Sequence, residues 1–451
     1  MPAFEIPLAS NCRNRVANVV AMTSLLLLAA TTSCGSRSAL ELDEPPAAAP
    51  ATSCKLQVAW QQRFDAMLLQ SLAWTADAIV VAGSGFEGNL ETTIVSSWTP
   101  SGELVWDRQL EGRTPLMVRT GNLLAVASSV STRVKLTFLG EEAATVAEHT
   151  IEMDADLSVE RVLPAPNGVY VFGTLAHYPS SVGGAYLSRV DAAGNELWRQ
   201  VIDPPGKQPI RVVDAVALPD GGVVYGIQRW LDGDGGPLVL TALEPDGSQR
   251  WKFEDSARYE RGGEFVLLPN AGGVIAGGTL DAPGIAGSSV RVVSLGASGA
   301  VQWTRSLDDG QDNQQLVNDG TLLGGGGMAF VGYSASTVQN RFWRLQPSGE
   351  VAWARDYPLR SNSGGPARVR PLEGGLLVGA AWSALPGPSL AELRVLDADG
   401  NQRDGLEIEG EGSSRLTVLE TDAAGRFVAI ASWFSTDSKQ SELVVGSARC
   451  E

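Results

Sequence analysis

The chain has 451 residues, of which 51 are glycine, 24 are proline and 44% are hydrophobic. This combination of turn formers and apolar residues excludes a disordered polymer and predicts a folded, turn-rich protein. The formal net charge is −17, from 34 basic and 51 acidic residues. The sequence has no Lys/Arg cluster of the kind that binds a phosphate backbone, so we expect no nucleic-acid partner.

The amino terminus has the pattern of an export signal. Two arginines precede an apolar stretch of 15 residues at 16–30, and three small residues follow before Cys34. The apolar stretch is too short for a membrane-spanning helix. We predict that residues 1–33 are a signal peptide and that the mature protein leaves the cytoplasm.

The segment LAATTSCGS resembles the lipobox of bacterial lipoproteins, in which small residues precede a cysteine that is lipidated after cleavage. The resemblance implies lipidation of Cys34. The sequence departs from the lipobox at Thr31, where an apolar residue is usual, so cleavage nearby without lipidation is the alternative. No Asp retention signal follows the cysteine, which implies an outer-membrane or cell-surface lipoprotein. A periplasmic or secreted protein is the alternative.

A spacer follows the cysteine. Residues 34–53 are rich in Pro and Ala and have no apolar periodicity, which predicts an extended linker behind the lipid anchor. Residues 54–451 are then the folded domain. We expect the anchor to be the only contact of this domain with a membrane.

A turn followed by a tryptophan recurs about every fifty residues along this domain. The phrase EPDGSQRWKFED at 244–255 has counterparts such as QPSGEVAWARDY at 346–357. A second phrase, a turn with glycines and then a short apolar run, lies upstream, as in LPDGGVVYG at 218–226. Short apolar runs between such turns are strand signals, and the turns fit tight antiparallel connections. Each unit therefore predicts four strands in an up-and-down sheet.

The units have the length of propeller blades. Their first strands begin near residues 69, 116, 160, 212, 264, 317, 367 and 414. Four-stranded units at this spacing are typical of β-propellers. We predict an all-β, eight-bladed β-propeller with four-stranded antiparallel blades. The unit at 116–152 has lost its turn and tryptophan, so seven blades is the alternative.

Six tryptophans occupy one register in these units. They are Trp60, Trp106, Trp198, Trp251, Trp303 and Trp353. A large aromatic among polar residues on a strand buries its ring against a neighbouring sheet. We predict that the turn closes the last hairpin of each blade and that the tryptophan packs this blade onto the next.

The two ends of the domain are predicted to share one blade. The last unit has three strands, and residues 54–64 carry Trp60 in the register of the missing outer strand. Borrowing this strand closes the ring and removes an open edge. Cys54 and Cys450 then lie where other blades have a turn, and an exported protein can keep a disulfide. We predict a Cys54–Cys450 disulfide; two free thiols are the alternative.

The repeat resembles that of the PQQ-like β-propeller family over residues 54–451, because both run through a glycine turn into a strand with a docking tryptophan. With the export signal, the chain is most similar to the lipoprotein propellers of outer-membrane assembly. Quinone-dependent dehydrogenases are the enzyme relatives, with calcium and quinone beside a disulfide of adjacent cysteines. This chain has no adjacent cysteines, and its Pro245-Asp246-Gly247 turn lacks their Thr-Gly.

No pattern in the sequence predicts a catalytic, cofactor-binding or metal-binding residue. The two histidines, His149 and His177, have unrelated surroundings and are interpreted as ordinary surface or packed residues. The acidic stretches at 232–236 and 397–401 miss the spacing of a calcium loop, and 308–313 is interpreted as a solvated loop. We therefore predict no cofactor.

Function follows less directly than fold. We expect a monomeric, non-catalytic module that binds or scaffolds a protein or a cell-envelope polymer. The alternative is a propeller enzyme, such as a PQQ-dependent dehydrogenase or a polymer-active hydrolase. Carboxylates from different blades can converge at the channel without any spacing in the sequence that would reveal them. The ligand and the face that binds it are not encoded in a recognisable motif.

Overall fold

The computed structural model describes residues 53–450, apart from 75–76, 88–89, 177–182, 203–209, 230–234, 261–263, 271–272, 281–288, 308–314, 335–338, 359–366, 383–388, 411, 423 and 435–438. The predicted signal peptide, Cys34, the linker up to residue 52 and His177 lie outside the described residues. The acidic stretch at 308–313 and most of 232–236 do so too.

Thirty-two strands make up most of the described residues and fall into eight sets of four. Sets one to three are β2 (Met67–Trp74), β3 (Ile79–Glu87), β4 (Leu90–Trp98), β5 (Leu104–Glu111); β6 (Arg113–Thr120), β7 (Leu123–Val130), β8 (Arg133–Leu139), β9 (Thr145–Glu152); and β10 (Asp156–Ala165), β11 (Gly168–Ala176), β12 (Gly183–Asp191), β13 (Glu196–Ile202). Sets four and five are β14 (Ile210–Ala217), β15 (Val223–Arg229), β16 (Gly236–Leu243), β17 (Gln249–Tyr259); and β18 (Phe265–Asn270), β19 (Gly273–Leu280), β20 (Ser289–Leu295), β21 (Val301–Ser306). Sets six to eight are β22 (Gln315–Leu322), β23 (Met328–Ser334), β24 (Gln339–Leu345), β25 (Val351–Pro358); β26 (Arg368–Leu372), β27 (Gly375–Trp382), β28 (Ser389–Asp397), β29 (Gln402–Gly410); and β30 (Ser413–Thr421), β31 (Arg426–Phe434), β32 (Lys439–Cys450) with β1 (Cys54–Asp65).

The sets are antiparallel sheets in which chain neighbours pair. Six of them are separate four-stranded sheets. Sets four and five are joined into one eight-stranded sheet by a single residue pair, Tyr259 with Leu280. The described chain therefore has the all-β fold of four-stranded antiparallel sheets that the repeat predicts, and we interpret each set as one blade.

A hydrophobic cluster fills each gap between consecutive sets. Val212 and Tyr225 of set four, for example, belong to one cluster with Tyr170 and Phe172 of set three. Seven clusters join the sets in chain order, and the eighth joins set eight back to set one. Because this cycle is closed, the sets surround a centre in the manner of a β-propeller. Burial of these apolar faces is what holds the ring together.

Hydrogen bonds between neighbouring sets give partners to backbone N–H groups of the first strands. The first strands contact one another around the whole cycle. At six of the junctions between described strands, a side chain of one set accepts a hydrogen bond from a backbone N–H in the first strand of the next. The pairs, donor first, are Leu69 with Ser441 (3.0 Å), Met117 with Ser71 (2.9 Å), Val159 with Ser129 (3.3 Å), Leu267 with Asp214 (2.8 Å), Val317 with Thr279 (3.1 Å) and Val369 with Asp319 (3.0 Å). These acceptors pair N–H groups that strand pairing leaves unused.

Candidate functional site

Five of the six repeat tryptophans lie against a glycine in the turn of the following set. The pairs are Trp60 with Gly102, Trp198 with Gly247, Trp251 with Gly299, Trp303 with Gly349 and Trp353 with Gly400. These glycines have φ angles between 77° and 90°. A β-carbon at any of them would lie 2.6 to 3.0 Å from the indole. The turn therefore needs glycine both for its left-handed backbone and for the closeness of the ring.

The indole nitrogens add a polar contact at some of these junctions. Nε1 of Trp60 donates to the carbonyl oxygen of Pro100 at 2.8 Å, and Nε1 of Trp198 donates to that of Pro245 at 3.0 Å. Each acceptor lies in the turn on which the ring packs. The tryptophan thus fixes the turn of the next set by both packing and hydrogen bonding.

Two sets depart from this pattern. In set two, a 3-10 turn at Glu141–Ala143 replaces the glycine turn. Trp106 of set one therefore has no turn glycine to pack on, and it packs against the hydrophobic cluster between sets one and two. Ala147 takes the tryptophan position of set two and faces Gly194. In set seven, Asp404 takes that position and accepts a hydrogen bond from the backbone N–H of Leu56 at 2.7 Å. These substitutions keep a contact at each junction while changing its chemistry.

The two ends of the domain meet in set eight. β1 pairs antiparallel with β32 from Cys54 opposite Cys450 to Asp65 opposite Gln440. The predicted Cys54–Cys450 disulfide is present, with the two Cα atoms 3.9 Å apart. Gly375 of set seven packs over this bond, since a β-carbon there would lie 3.2 Å from Sγ of Cys450. The ring is therefore closed by a strand pairing and a covalent bond at the same place.

Ion pairs link the first strands around the centre of the ring. Arg161 of set three pairs with Asp214 of set four at 2.7 Å. Arg370 of set seven pairs with Asp319 of set six at 2.7 Å and with Glu420 of set eight at 3.0 Å. Burial alone would lower the pKa of Arg370, but these two carboxylates outweigh burial and raise that pKa. The three carboxylates are consequently committed to contacts between sets.

A cleft of about 620 Å³ opens on the turn side of sets six to eight. Its apolar wall contains Leu323, Trp353, Pro371 and Leu372. Polar residues of the cleft are Arg344, Glu373, Asp397, Thr421 and Asp422. A cleft of this volume, with an apolar wall and a few polar groups, has the size and character of a ligand site.

Gly324 of set six lines this cleft without a side chain, and Gly325 follows it in the same turn. The turns Leu218–Gly222 of set four and Leu323–Gly327 of set six are closed by equivalent backbone hydrogen bonds. Pro219 and Asp220 of set four correspond in this alignment to Gly324 and Gly325. A β-carbon at either glycine would have no atom within 4 Å. Set six therefore lacks the two side chains that set four carries at the equivalent turn.

Two of the three carboxylates of the cleft, those of Asp397 and Asp422, are already hydrogen-bonded within their own turns. Asp397 accepts hydrogen bonds from the backbone N–H of Asn401 at 2.8 Å and from Nε of Arg403 at 2.7 Å. Burial would raise the pKa of Asp397, but these hydrogen bonds outweigh burial and lower that pKa. Asp422 likewise accepts from Nε of Arg426 at 2.7 Å. The stretch at 397–401 is thus a turn built around its own aspartate.

The remaining sequence candidates are not brought together. His149 lies on β9, and its Nε2 atom is buried without a hydrogen-bond partner in the described chain. Within the described ranges, no three His, Cys, Asp or Glu side chains are grouped so that they could hold a metal ion. Those ranges also contain no helix with the length and apolar character needed to cross a bilayer.

Comparison with known proteins shows a similarity of fold. No protein-family model and no curated protein matches the chain. The solved structure of BamB from Moraxella catarrhalis matches 87% of this chain and 100% of its own, at 16% sequence identity and a TM-score of 0.53. The WD40 domain of SCAP from fission yeast matches 87% of this chain and 98% of its own, at 8% identity and a TM-score of 0.49. The similarity to BamB shows that the two chains share the β-propeller fold.

Two features were missed by the sequence analysis, one in the cleft and one on the first strands. The first is the pair Gly324 and Gly325, which an alignment of the turns would have shown as the replacement of Pro-Asp. The second is a set of arginines, Arg211, Arg368 and Arg415, at one register of three first strands. The sequence pattern that could have revealed these arginines is an arginine directly before the buried valine or leucine of each strand.

Proposed function

We propose that this protein is an exported, lipid-anchored, monomeric β-propeller that binds a protein partner without catalysing a reaction. The cleft across sets six to eight is part of the binding surface. The observation that carries the proposal is the state of this cleft: it is open beside an apolar wall, while Asp397 and Asp422 are committed to their own turns. A partly exposed apolar wall that includes a tryptophan, beside an arginine, has the composition of a protein-binding surface rather than of an acid–base site.

Two further arguments support this function. The fold is shared with BamB, and the repeat and amino terminus resemble the lipoprotein propellers of outer-membrane assembly. These likenesses favour a location in the cell envelope. They also favour a protein, rather than an envelope polymer, as the partner.

A cross-linking experiment tests the cleft. Glu373 is exposed at its rim, so a photoreactive p-benzoyl-phenylalanine at this position is tolerated and faces the cleft. Irradiation of intact cells should give one discrete adduct with an envelope protein. Adding Gly324→Leu to the same chain should lower the adduct about tenfold, because the leucine occupies the open space. Pro219→Leu, at the equivalent exposed position of set four, is the matched control and should change nothing. An adduct that survives Gly324→Leu, or no adduct at all, contradicts the proposed site.

The lipid anchor has its own test. Mass spectrometry of the mature amino terminus should find a diacylglyceryl group on Cys34, and Cys34→Ala should move the protein out of the membrane fraction. The reason is that a lipidated cysteine is the anchor that the lipobox resemblance implies. Unchanged processing and unchanged fractionation of Cys34→Ala would show that the anchor is absent.

A further inference from the structure

The centre of the ring differs in charge from the rest of the protein. The eight first strands (β2, β6, β10, β14, β18, β22, β26 and β30) together contain seven arginines and five carboxylates, a net charge of +2. The whole chain has a net charge of −17. Positive charge is therefore concentrated on the strands that surround the centre, where low-dielectric walls focus the field.

Arg211, Arg368 and Arg415 share one register in this ring. Each directly precedes a buried residue that packs against the preceding set, namely Val212, Val369 or Leu416. Because side chains alternate along a strand, the arginines point away from that packed interface. Electrostatic interactions place Arg368 at the centre of the ring, since it interacts with Glu264 before β18, two sets away, as well as with its neighbour Arg415.

Within the described residues, these three arginines form no ion pair with a carboxylate, unlike others in the ring. Arg211 and Arg415 have no hydrogen-bond or ion-pair partner among the described residues, and Arg368 donates only to the carbonyl oxygen of Asn318 at 3.4 Å. Arg161 and Arg370, in contrast, are held in ion pairs between sets. Burial, together with the charges of Arg370 and Arg415, lowers the pKa of Arg368, and this outweighs the opposite effect of the carboxylates of Asp319 and Glu264. Arg368 is a partly buried charge beside the exposed Arg415, and the carboxylates near it offset the cost of its burial only in part, so an added anion would be favourable.

We propose that the centre of the ring binds an anionic ligand through Arg368 and Arg415. The recognised group carries several anionic oxygens, as a phosphate or a clustered carboxylate does, because a guanidinium donates two parallel hydrogen bonds to such oxygens. Arg211, on the far side of the ring, adds to the field that draws the anion in. The carboxylate of Glu264 interacts with Arg368 and so competes with the ligand for it, which favours ligands of high charge density. The cleft of the proposed function is formed by other residues, so the two sites are tested separately.

Isothermal titration calorimetry of the mature full chain with pyrophosphate and with citrate tests this site. At least one of the two probes should bind. Arg368→Gln/Arg415→Gln should weaken that binding about tenfold, because two charged hydrogen-bond donors are lost. Lys252→Gln/Arg355→Gln removes the same charge from exposed side chains on the outer strands β17 and β25 and should leave the affinity within about twofold.

The choice of probe identifies the class of anion, and the variants test whether the site exists. Binding of pyrophosphate alone indicates a phosphate-bearing ligand, binding of citrate alone a carboxylate-bearing one, and binding of both a site for anionic oxygens in general. Arg415→Gln alone removes a side chain without a partner, so it should keep the thermal unfolding temperature of the wild type and still weaken binding about threefold. Absence of binding by both probes at millimolar concentration overturns the proposal. Equal weakening by the outer-strand control also overturns it, because bulk charge would then explain the affinity.

Discussion

Replacing Cys54 and Cys450 with alanine is expected to lower the free energy of unfolding by up to about 5 kcal/mol while the folded ring persists. The bond joins residues separated by 396 positions, so it removes a large loop entropy from the unfolded chain. The ring persists because β1 still pairs with β32 over its whole length and Trp60 still packs on Gly102.

Chemical denaturation under oxidising and reducing conditions measures this effect. The wild type should lose stability on reduction, and the double alanine variant should be insensitive to the reductant. Circular dichroism of the variant should keep the β-sheet signal of the wild type. Identical unfolding midpoints for the oxidised wild type, the reduced wild type and the variant would show that the strand pairing alone closes the ring.

The repeat is the part of the fold that could be predicted from the sequence. The predicted starts of the first strands lie within four residues of the observed ones, from Met67 in set one to Ser413 in set eight. A turn such as Pro245-Asp246-Gly247 dictates its hairpin locally, so the sequence shows it directly. The disulfide could be predicted because the unfinished last unit places Cys54 and Cys450 together.

The candidate sites could not be predicted in the same way, because they are built from residues that only the closed ring brings together. Arg368 and Glu264 lie far apart in sequence and belong to sets that are not consecutive, so no spacing links them. The cleft lining includes Gly324, which carries no side chain, and a missing side chain gives no motif. The replacement of a docking tryptophan by Asp404 shows that a junction can keep its contact while losing its sequence signature.

The strongest test of the tryptophan junctions is a double-mutant cycle between Trp251 and Gly299. Trp251 is 7% exposed and belongs to the cluster between sets four and five. Trp251→Ala should lower the free energy of unfolding by about 3 to 5 kcal/mol, the range for truncating a buried tryptophan. Gly299→Ala should cost about 2 kcal/mol, because Gly299 has a φ of 77° and its new β-carbon would lie 2.8 Å from the indole.

The two substitutions should be non-additive by about 1 kcal/mol, since removing the indole leaves only the backbone strain at position 299. Gly121→Ala is the control that isolates this strain: Gly121 has a φ of 61°, and nothing lies within 4 Å of an added β-carbon. Its cost should equal that of Gly299→Ala measured in the Trp251→Ala background. Urea denaturation of the four members of the cycle and of Gly121→Ala measures the free energy of unfolding of each variant. These values give the non-additivity, the cost of Gly299→Ala in the Trp251→Ala background and the cost of Gly121→Ala. Additive costs would mean that the ring and the turn glycine do not support each other, and that the recurrence of the two residues has a cause other than their contact.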